Sequence, residues 1–293
     1  SEMKEERFGS ILVVGIGLIG GSILKSFKGI NIQSSVYGYD IHEKITEEAF
    51  SKGLIKNPTN DIEVLEENSL VIFAVPSLAL NEAFSLIQPK ILNKNVMYSD
   101  TLSSKTEAIS LLEKNRDLKK KFIMSHPITG SEKSGLSNSL TNLFNDRLVV
   151  LSSSNFFPED REMLRIKNFW EELGSRVIFI DPEEHDKIFA NTSHLPHVLA
   201  YALMNFLFKN LKENTFLFSG GSLEEYTRIA SSDPVMWKDI MISNKKEILK
   251  AIQGFKESID EIHNLIELED TKSLKDLLSS IQENRNSLLK ENS

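Results

Sequence analysis

The stretch ILVVGIGLIGGSILKSF at residues 11–27 has three glycines in G-x-G-x-x-G spacing, between an apolar strand-like run and a helical pattern. In such a turn Gly15 provides the tight bend, Gly17 permits close approach of another group to the backbone, and Gly20 permits close packing of helix on strand. The first turn of the helix offers free N–H groups and the positive end of its dipole to a phosphate. The stretch therefore predicts a phosphate-binding turn, although glycine turns after strands also occur without a ligand.

A second apolar run, residues 36–40, ends in Asp40, twenty residues after Gly20. An acid at this position accepts hydrogen bonds from the ribose hydroxyls of a dinucleotide and repels a 2′-phosphate, so the pattern predicts NAD rather than NADP as the cofactor. Asp40 is also a candidate N-cap for the helical pattern at 43–52. The predicted cofactor-binding residues are Gly15, Gly17, Leu18, Ile19, Gly20 and Asp40, with Val75, Pro76 and Ser77, which end a later strand and also suit an ordinary turn.

The first 181 residues alternate short β-branched runs with amphipathic stretches, which is the βαβ pattern of a Rossmann-like, doubly wound α/β domain. Several of the strand-like runs are apolar throughout, as expected where helices cover both faces of a parallel sheet. The predicted strands lie at 11–15, 36–40, 70–75, 96–100, 121–125, 147–152 and 176–180, and the helical patterns between them include 43–52, 77–87, 104–114 and 159–173.

After Asp181-Pro182 the strand-like runs stop, so we predict a dinucleotide-binding domain at 1–181 and an all-α substrate and dimerisation domain at 182–293. The apolar surface of this second part exceeds what about 110 residues bury alone, which favours a homodimer through these helices. Packing wholly against the first domain is the alternative. Helical patterns in the second part cover 196–212, 234–268 and 271–291.

Composition narrows the classes of partner. The chain has 293 residues, a net charge of −8 and a sequence pI near 5.4, which argues against nucleic acid or an anionic membrane surface and leaves a small-molecule substrate. It has no cysteine, so disulfides, cysteine-ligated metal and a cysteine nucleophile are excluded, and the cytoplasm is the expected location. The most apolar long stretch, 197–208, is shorter than the roughly 20 residues of a bilayer-spanning helix.

Six histidines are available as bases or ligands, and His126 is the best placed of them. It follows an apolar strand in IMSHPITGSEKSG, at the edge where strands present their carboxyl ends to a ligand, though a histidine before proline is also common in turns. His194 and His197 have H-x-x-H spacing, but no neighbouring Asp, Glu or Cys completes a set, so no metal site is predicted. Arg228 suits either a structural ion pair or a bidentate grip on a substrate carboxylate.

Five motifs occur in order along the chain, namely GIGLIGGS, SDTLSSK, SHPITGSEKSG, SHLPHVLAYAL and TRIASSDPVMW. In this combination the sequence, from about residue 10 to about residue 265, resembles the prephenate dehydrogenase family. The resemblance implies oxidative decarboxylation of prephenate, or of its amino analogue arogenate, with NAD(P) on the pathway to tyrosine. We expect prephenate as the substrate, NAD as the cofactor and 4-hydroxyphenylpyruvate as the product.

The resemblance also implies roles for individual residues. His126 matches the catalytic histidine that binds the ring hydroxyl of prephenate and takes its proton as hydride leaves C4, and Ser103 matches the serine that helps to orient that hydroxyl. Neutral imidazole, with an ordinary pKa of about 6.5, suits such a base. The residues that match the substrate side are Arg228, which would hold a carboxylate, His197, Ser131, Glu132 and Trp237, for which core packing is the alternative.

Two departures from the family's common pattern lie near the predicted site. Thr101-Leu102 stands in place of Gln-Gly before Ser103, and Ser125 stands in place of the glycine before His126. Neither a chorismate mutase segment nor an ACT-type regulatory domain is recognised, so a single activity is expected.

Two other functions share this two-domain plan. A β-hydroxyacid dehydrogenase would place a catalytic lysine where this chain has NTSHLPH, at 191–197. A non-enzymatic NAD sensor would bind the cofactor without turnover, and His126 would then be only a turn residue.

Overall fold

The computed structural model describes residues 7–30, 32–92, 94–129 and 133–291. It divides into two compact units, Ser1–Lys245 and Lys246–Ser293. The domain boundary predicted at 181/182 lies within the first unit and stays a prediction. Among the described residues, no helix is both long enough and apolar enough to cross a membrane.

A seven-stranded sheet forms the framework of the first unit, in the spatial order β2-β1-β3-β4-β5-β6-β7. Every predicted strand is found, with its ends displaced by no more than two residues. The strands are β1 (Ser10–Val14), β2 (Ser35–Tyr39), β3 (Ser69–Phe73), β4 (Val96–Asp100), β5 (Phe122–Pro127), β6 (Leu148–Ser152) and β7 (Arg176–Phe179).

Two hydrophobic clusters cover the two faces of this sheet. Ile11 and Val13 of β1 belong to one cluster, and Leu12 and Val14 belong to the other, because successive side chains of a strand alternate between faces. All four side chains are buried. Burial on both faces explains why the strands read as continuous apolar runs, and it confirms the predicted Rossmann-like α/β class.

The sheet departs from the all-parallel pattern at one pair of strands. β5 and β6 are antiparallel, with His126 opposite Val150, whereas the other neighbouring pairs are parallel. In the described residues of the connection, 128, 129 and 133–147, Leu136 and Ser139 pack against the glycine-turn helix at Gly21, and no α-helix crosses the sheet. A chain that returns from the same edge without such a crossover forms an antiparallel pair.

Helices lie between the strands and make up all the regular structure described after β7. Those between strands are α1 (Leu18–Ile30), α2 (Glu43–Ser51), α3 (Leu80–Ile87), α4 (Thr106–Lys114) and α5 (Arg161–Glu172). Those after β7 are α6 (Pro182–Phe189), α7 (Leu195–Asn210), α8 (Gly221–Thr227), α9 (Pro234–Ser243), α10 (Lys245–Glu267) and α11 (Thr271–Glu291).

The helical part differs from its prediction at three places. The single helix predicted over 234–268 is wrong, because the chain breaks between α9 and α10 at Asn244, whose buried side chain bonds to groups outside the helix. In addition, α6 and α8 were not predicted, and α6 is joined to α7 by one turn of π-helix, Ala190–His194. π-Turns of this kind occur frequently at functional sites.

Candidate active site

The glycine turn lies where β1 has β2 on one side and β3 on the other, the point at which ligands bind in open α/β sheets. Gly15 has φ +92°, and a Cβ there would lie 2.5 Å from the Ala74 carbonyl oxygen. A Cβ on Gly20 would lie 1.8 Å from the Gly15 carbonyl oxygen. At Gly17 a Cβ would meet nothing within 4 Å, so the backbone is open to an approaching group. This geometry fits a bound pyrophosphate at the start of α1.

Asp40 follows β2 and supports the same turn. Its Oδ2 accepts a hydrogen bond of 2.9 Å from the Ile16 N–H, and its Oδ1 accepts one of 2.9 Å from the His42 N–H. Asp40 is not the N-cap of α2, because His42 occupies that position. An ionised carboxylate has about four acceptor sites, so both oxygens retain capacity for further donors.

A cleft of about 480 Å³ opens beside the glycine turn. It brings together most of the predicted site residues, namely Gly17, Leu18, Ile19, Val75, Pro76, Ser77, Ser103, His126, His197, Arg228 and Trp237. Gly15, Gly20 and Asp40 are not among its lining residues and belong to the framework of the turn. Ser131 and Glu132 lie outside the described residues.

His126 is buried near the end of β5 and reaches the wall of the cleft. Its Nδ1 lies 2.8 Å from Nε2 of His185, and its ring packs edge-on against Phe189 with centroids 4.7 Å apart. Ser103 lines the same cleft but makes no hydrogen bond to His126 within the described structure. Nδ1 is therefore occupied by the protein, which leaves Nε2 for a ligand.

Behind His126 lies a polar group that the sequence analysis missed. His185 Nδ1 is 2.9 Å from Oδ1 of Asp186, both on α6. Asp186 also accepts hydrogen bonds from the Lys105 backbone N–H at 2.7 Å and the Thr106 hydroxyl at 2.8 Å. The donors to Asp186 come from two separate parts of the chain, so no local sequence pattern identified this cluster. The sequence shows only that His185 and Asp186 are adjacent.

Burial determines the protonation states of these groups. It lowers the pKa of His126 well below the ordinary value, and the nearby His185, Lys105 and His194 lower it further. Burial also lowers the pKa of His185, against the opposing effect of its hydrogen bond to Asp186. For Asp186 burial raises the pKa, but hydrogen bonds from His185 and the Lys105 backbone outweigh it, so the net shift is downward. At neutral pH both imidazoles are therefore neutral and Asp186 is ionised.

A buried ion pair lies beneath the site. Lys105 Nζ is 2.6 Å from Asp100 Oδ2, and both side chains are fully buried. The same ammonium donates to the Ser125 carbonyl oxygen at 2.7 Å, and the Ser125 N–H donates to Asp100 Oδ1 at 3.1 Å. The pair therefore connects the end of β4 to β5 immediately before His126. Neither charge was identified from the sequence, although both stand beside or within the motif SDTLSSK.

The two departures from the family pattern have structural explanations. The Ser125 hydroxyl bonds to Ser99 at 2.8 Å and accepts from the Trp170 indole N–H at 3.0 Å, within the buried interior. It does not line the cleft. Thr101 and Leu102 do line it, and the Thr101 N–H donates to the Phe73 carbonyl oxygen at 3.0 Å, which ties this loop to the end of β3.

Residues predicted for the substrate side line the same cleft. His197 stacks on Trp237 with centroids 3.5 Å apart, and its Nδ1 lies 2.9 Å from the Ser193 carbonyl oxygen. Nδ1 therefore carries hydrogen, and burial with the nearby Arg228 lowers the pKa of this imidazole. Trp237 is buried and also lines the cleft, so both its packing and its predicted contact with a substrate are compatible with its position. Arg228 supplies a permanent positive charge here.

His194 and His197 are used differently despite their H-x-x-H spacing. His194 is buried, and its Nδ1 accepts from the side-chain amide of Asn244 at 3.1 Å, whereas His197 lines the cleft. In the part of the chain that the structure describes, no group of three or more His, Cys, Asp or Glu side chains is arranged to hold a metal ion.

Two family models match the chain. Residues 25–179 match the model described as prephenate dehydrogenase, nucleotide-binding domain. Residues 181–280 match the model described as prephenate dehydrogenase, dimerization domain. Together they cover strands β2 to β7 and the part of the chain that carries His185, His197 and Arg228, whereas β1 and the glycine turn precede the matched residues.

Known proteins resemble this chain over nearly its whole length. It is 33% identical over 268 residues to a cyclohexadienyl dehydrogenase of Zymomonas mobilis, covering 90% of both chains. It is 32% identical over 267 residues to a prephenate dehydrogenase of Lactococcus lactis, covering 90% of this chain and 73% of the relative. A crystal structure of prephenate dehydrogenase from Aquifex aeolicus, in complex with hydroxyphenyl propionate and NAD+, has a TM-score of 0.85 at 32% identity, covering 96% and 98% of the two chains.

Proposed function

The chain belongs to the prephenate dehydrogenase family, and on that premise we propose that it catalyses the NAD-dependent oxidative decarboxylation of prephenate to 4-hydroxyphenylpyruvate. One observation carries the proposal. A buried histidine whose Nδ1 is already bonded, His126, lines one cleft together with the glycine turn and Arg228. A base, a nucleotide site and a carboxylate-binding cation are the three elements that this reaction requires.

The residues present fit NAD as the cofactor. The backbone of Gly15–Gly20 and the first turn of α1 would hold the pyrophosphate, and Asp40 would accept from the adenosine ribose. Val75, Pro76 and Ser77 follow β3 at the cleft and would line the nicotinamide side. When bound, NAD supplies the acceptor for hydride. A structural relative with NAD+ bound, the Aquifex aeolicus enzyme, supports this choice of nucleotide.

His126 would act as the general base. As hydride leaves C4 of the substrate, Nε2 accepts the proton of the hydroxyl on that carbon, which becomes a carbonyl. Loss of the ring carboxylate as CO2 then returns an electron pair to this oxygen and makes the ring aromatic, and the imidazolium gives the proton back. No net proton is taken up by the protein. A positioned base of this kind contributes about 10²–10⁴-fold to the rate.

Other residues that line the cleft would bind the rest of the substrate. Arg228 would hold a substrate carboxylate, and a bidentate guanidinium pair gives orientation as well as affinity. His197 is bonded to Ser193 through Nδ1, so its Nε2 would face the substrate. The stack on Trp237 fixes the plane of the His197 imidazole. Ser103 lines the cleft with His126 and would donate to or accept from the ring hydroxyl. Ser131 and Glu132 lie outside the described residues, and their influence on carboxylate binding stays a prediction.

We propose further that the protein is a homodimer through its helical part. The segment that matches the dimerization model includes five large apolar side chains that are exposed in one protomer, Phe206, Phe208, Leu211, Leu217 and Phe218. An exposed apolar group of this size is typical of a protein interface. Light scattering should give twice the protomer mass of 33.2 kDa, and Phe206→Glu with Phe208→Glu should reduce it to one protomer. A monomeric parent protein would contradict the dimer.

The activity is tested directly on purified protein. NADH or NADPH formation is followed with prephenate or arogenate and with NAD or NADP in all four combinations. The proposal expects the prephenate and NAD pair to have the highest kcat/KM. A higher kcat/KM with arogenate would overturn the substrate assignment, and binding of NAD without turnover of either substrate would overturn the enzymatic one.

A further inference from the structure

His126, His185 and Asp186 form a continuous hydrogen-bonded chain of buried side chains. The two distances are 2.8 Å between the imidazoles and 2.9 Å between His185 and the carboxylate. All three side chains are buried, and His126 alone of the three lines the cleft. His185 and Asp186 do not line the cleft, so we expect them to act on the reaction through His126, to which His185 is bonded.

The direction of each hydrogen bond follows from the carboxylate. An ionised carboxylate only accepts, so His185 must carry its hydrogen on Nδ1. Asp186 is ionised because it also accepts from the Lys105 N–H and the Thr106 hydroxyl. A neutral imidazole with hydrogen on Nδ1 has its lone pair on Nε2. His185 Nε2 is thus an acceptor, and Nδ1 of His126 must donate to it.

The same reasoning excludes the other tautomer of His126. If His126 carried its hydrogen on Nε2, its Nδ1 lone pair would face the His185 lone pair unless His185 were doubly protonated. Double protonation is disfavoured in this burial and beside the Lys105 ammonium. The charged and titratable groups around the two imidazoles are Asp100 at the end of β4, Lys105 shortly after it, Asp186 on α6, and His194 on the π-turn.

We propose that His185 and Asp186 are positioning residues that hold His126 with hydrogen on Nδ1, so that the Nε2 lone pair faces the substrate hydroxyl. The inference rests on the function proposed above and adds two residues to it. When Nε2 accepts the substrate proton, the imidazolium donates from Nδ1 to His185, and the negative charge of Asp186 stabilises it through that ring. Orientation and charge stabilisation thus come from residues that never contact the substrate.

Asp186→Asn tests the charge with the smallest change in shape. Oδ1 of Asp186 accepts from both His185 Nδ1 and the Lys105 N–H, so an amide would keep its oxygen there and place its NH2 beside the Thr106 and Ser104 hydroxyls, which can accept. The variant keeps the direction of the chain and loses the negative charge that stabilises the imidazolium. We expect kcat to fall by about 10–10²-fold with KM for prephenate and Kd for NAD within about threefold of the parent, since charge-assisted hydrogen bonds are about twice as strong as neutral ones. The acidic limb of the kcat–pH profile should also move to lower pH, because the protonated His126 loses its counter-charge.

Two controls separate positioning from general damage. Thr106→Val removes one neutral donor to Asp186 but keeps the carboxylate, so kcat should stay within about fivefold of the parent. In a His126→Asn background, Asp186→Asn should lower kcat no further, because residues acting through one another are non-additive. Additive losses in the double variant, or an Asp186→Asn variant with parental kcat, would overturn the proposal.

A spectroscopic measurement makes the inference independent of turnover. Nitrogen NMR of the ¹⁵N-histidine-labelled full-length protein at neutral pH should show a protonated Nδ1 and an unprotonated Nε2 for His126, assigned by loss of its signals in His126→Asn. The opposite pattern overturns the positioning role even in an active enzyme. The expected pattern in a protein that does not turn over prephenate upholds the tautomer and rejects the proposed function instead.

Discussion

The imidazole of His126 packs against Phe189 and His185, and its burial lowers its pKa well below the ordinary value. A histidine in water is partly protonated near pH 6.5. This one remains an acceptor through neutral pH and into mild acid. His126 therefore has an Nε2 with no hydrogen bond to the described residues and a neutral imidazole suited to proton abstraction. The hydrogen bond of Nδ1 to His185 accounts for the first property, and burial accounts for the second.

Replacing His126 with Asn removes the base while keeping a polar group of similar size. We expect kcat for prephenate to fall by about 10²–10⁴-fold. Titration with NAD should give a Kd within about threefold of the parent, since the glycine turn is untouched. His263→Asn, at an exposed position on α10, is the matched control and should retain parental kcat. Turnover by His126→Asn close to that of the control would return His126 to the role of a turn residue.

Arg228→Lys keeps the positive charge but replaces a planar fork with a single ammonium. If Arg228 holds a substrate carboxylate bidentately, KM for prephenate should rise by about tenfold or more, since charge-assisted hydrogen bonds contribute about 1.5–3 kcal/mol. Steady-state kinetics at saturating NAD measure the change, with kcat expected within a few-fold of the parent. An unchanged KM would assign Arg228 to a structural ion pair.

At the scale of elements, the strands were predictable and the polar connections between elements were not. Strand-like runs identified all seven strands, and the glycine spacing identified the turn into α1. Burial on both faces explains the continuous apolar runs of the inner strands, whereas the side chains of the edge strand β7 are exposed or half-buried. The break at Asn244 was missed because its cause is two acceptors, the Asp186 carbonyl and His194, that lie 58 and 50 residues away. His185 was missed for the same reason, since its partner His126 is 59 residues away.

The candidate site shows the same division. Residues that line the cleft, such as His126 and Arg228, belong to motifs that the family resemblance identified. Residues that lie behind the cleft, such as Lys105 and Asp186, owe their positions to contacts that no local sequence pattern encodes. The antiparallel direction of β6 was likewise not predicted, because the direction of a strand depends on the path of the connection that precedes it.

The glycine turn and β2 meet at Asp40, whose two oxygens accept from the Ile16 and His42 N–H groups. Asp40→Ser shortens the side chain and removes the charge that repels a 2′-phosphate, so we expect the ratio of kcat/KM for NADP over NAD to rise by about tenfold or more. Loss of the two backbone hydrogen bonds should also lower the free energy of unfolding by about 1–3 kcal/mol. Cofactor kinetics and urea unfolding report the two effects separately. If stability falls while the cofactor ratio stays constant, Asp40 only braces the turn.

At the scale of the whole molecule, buried neutral histidines make stability depend on pH. Burial lowers the pKa of His194 to about 4, and its Nδ1 lone pair accepts from Asn244, so protonation breaks that bond. In the unfolded chain His194 has the ordinary pKa of about 6.5 and takes up its proton first as the pH falls. Its contribution is thus fully present above pH 6.5 and is lost progressively between about pH 6.5 and about pH 4.

His194→Gln tests this dependence. Glutamine can accept from Asn244 through its carbonyl oxygen but does not titrate. Measured by urea unfolding, the parent should lose more stability between pH 7 and pH 4 than the variant does, by on the order of 3 kcal/mol. His263→Gln, whose imidazole is exposed, should follow the parent curve. Parallel curves for His194→Gln and the parent would mean that His194 does not contribute to acid sensitivity.

The 59-residue separation of His126 from His185 has a consequence for the order in which the protein acquires its parts during synthesis. Ribosomes add about 5–20 residues per second, so the base emerges roughly 3–12 s before the residue that orients it. The glycine turn and the first four strands emerge earlier still. A nascent chain can therefore assemble its nucleotide cradle while its imidazole is still an ordinary, freely rotating histidine, and catalytic competence arrives only with the later helices.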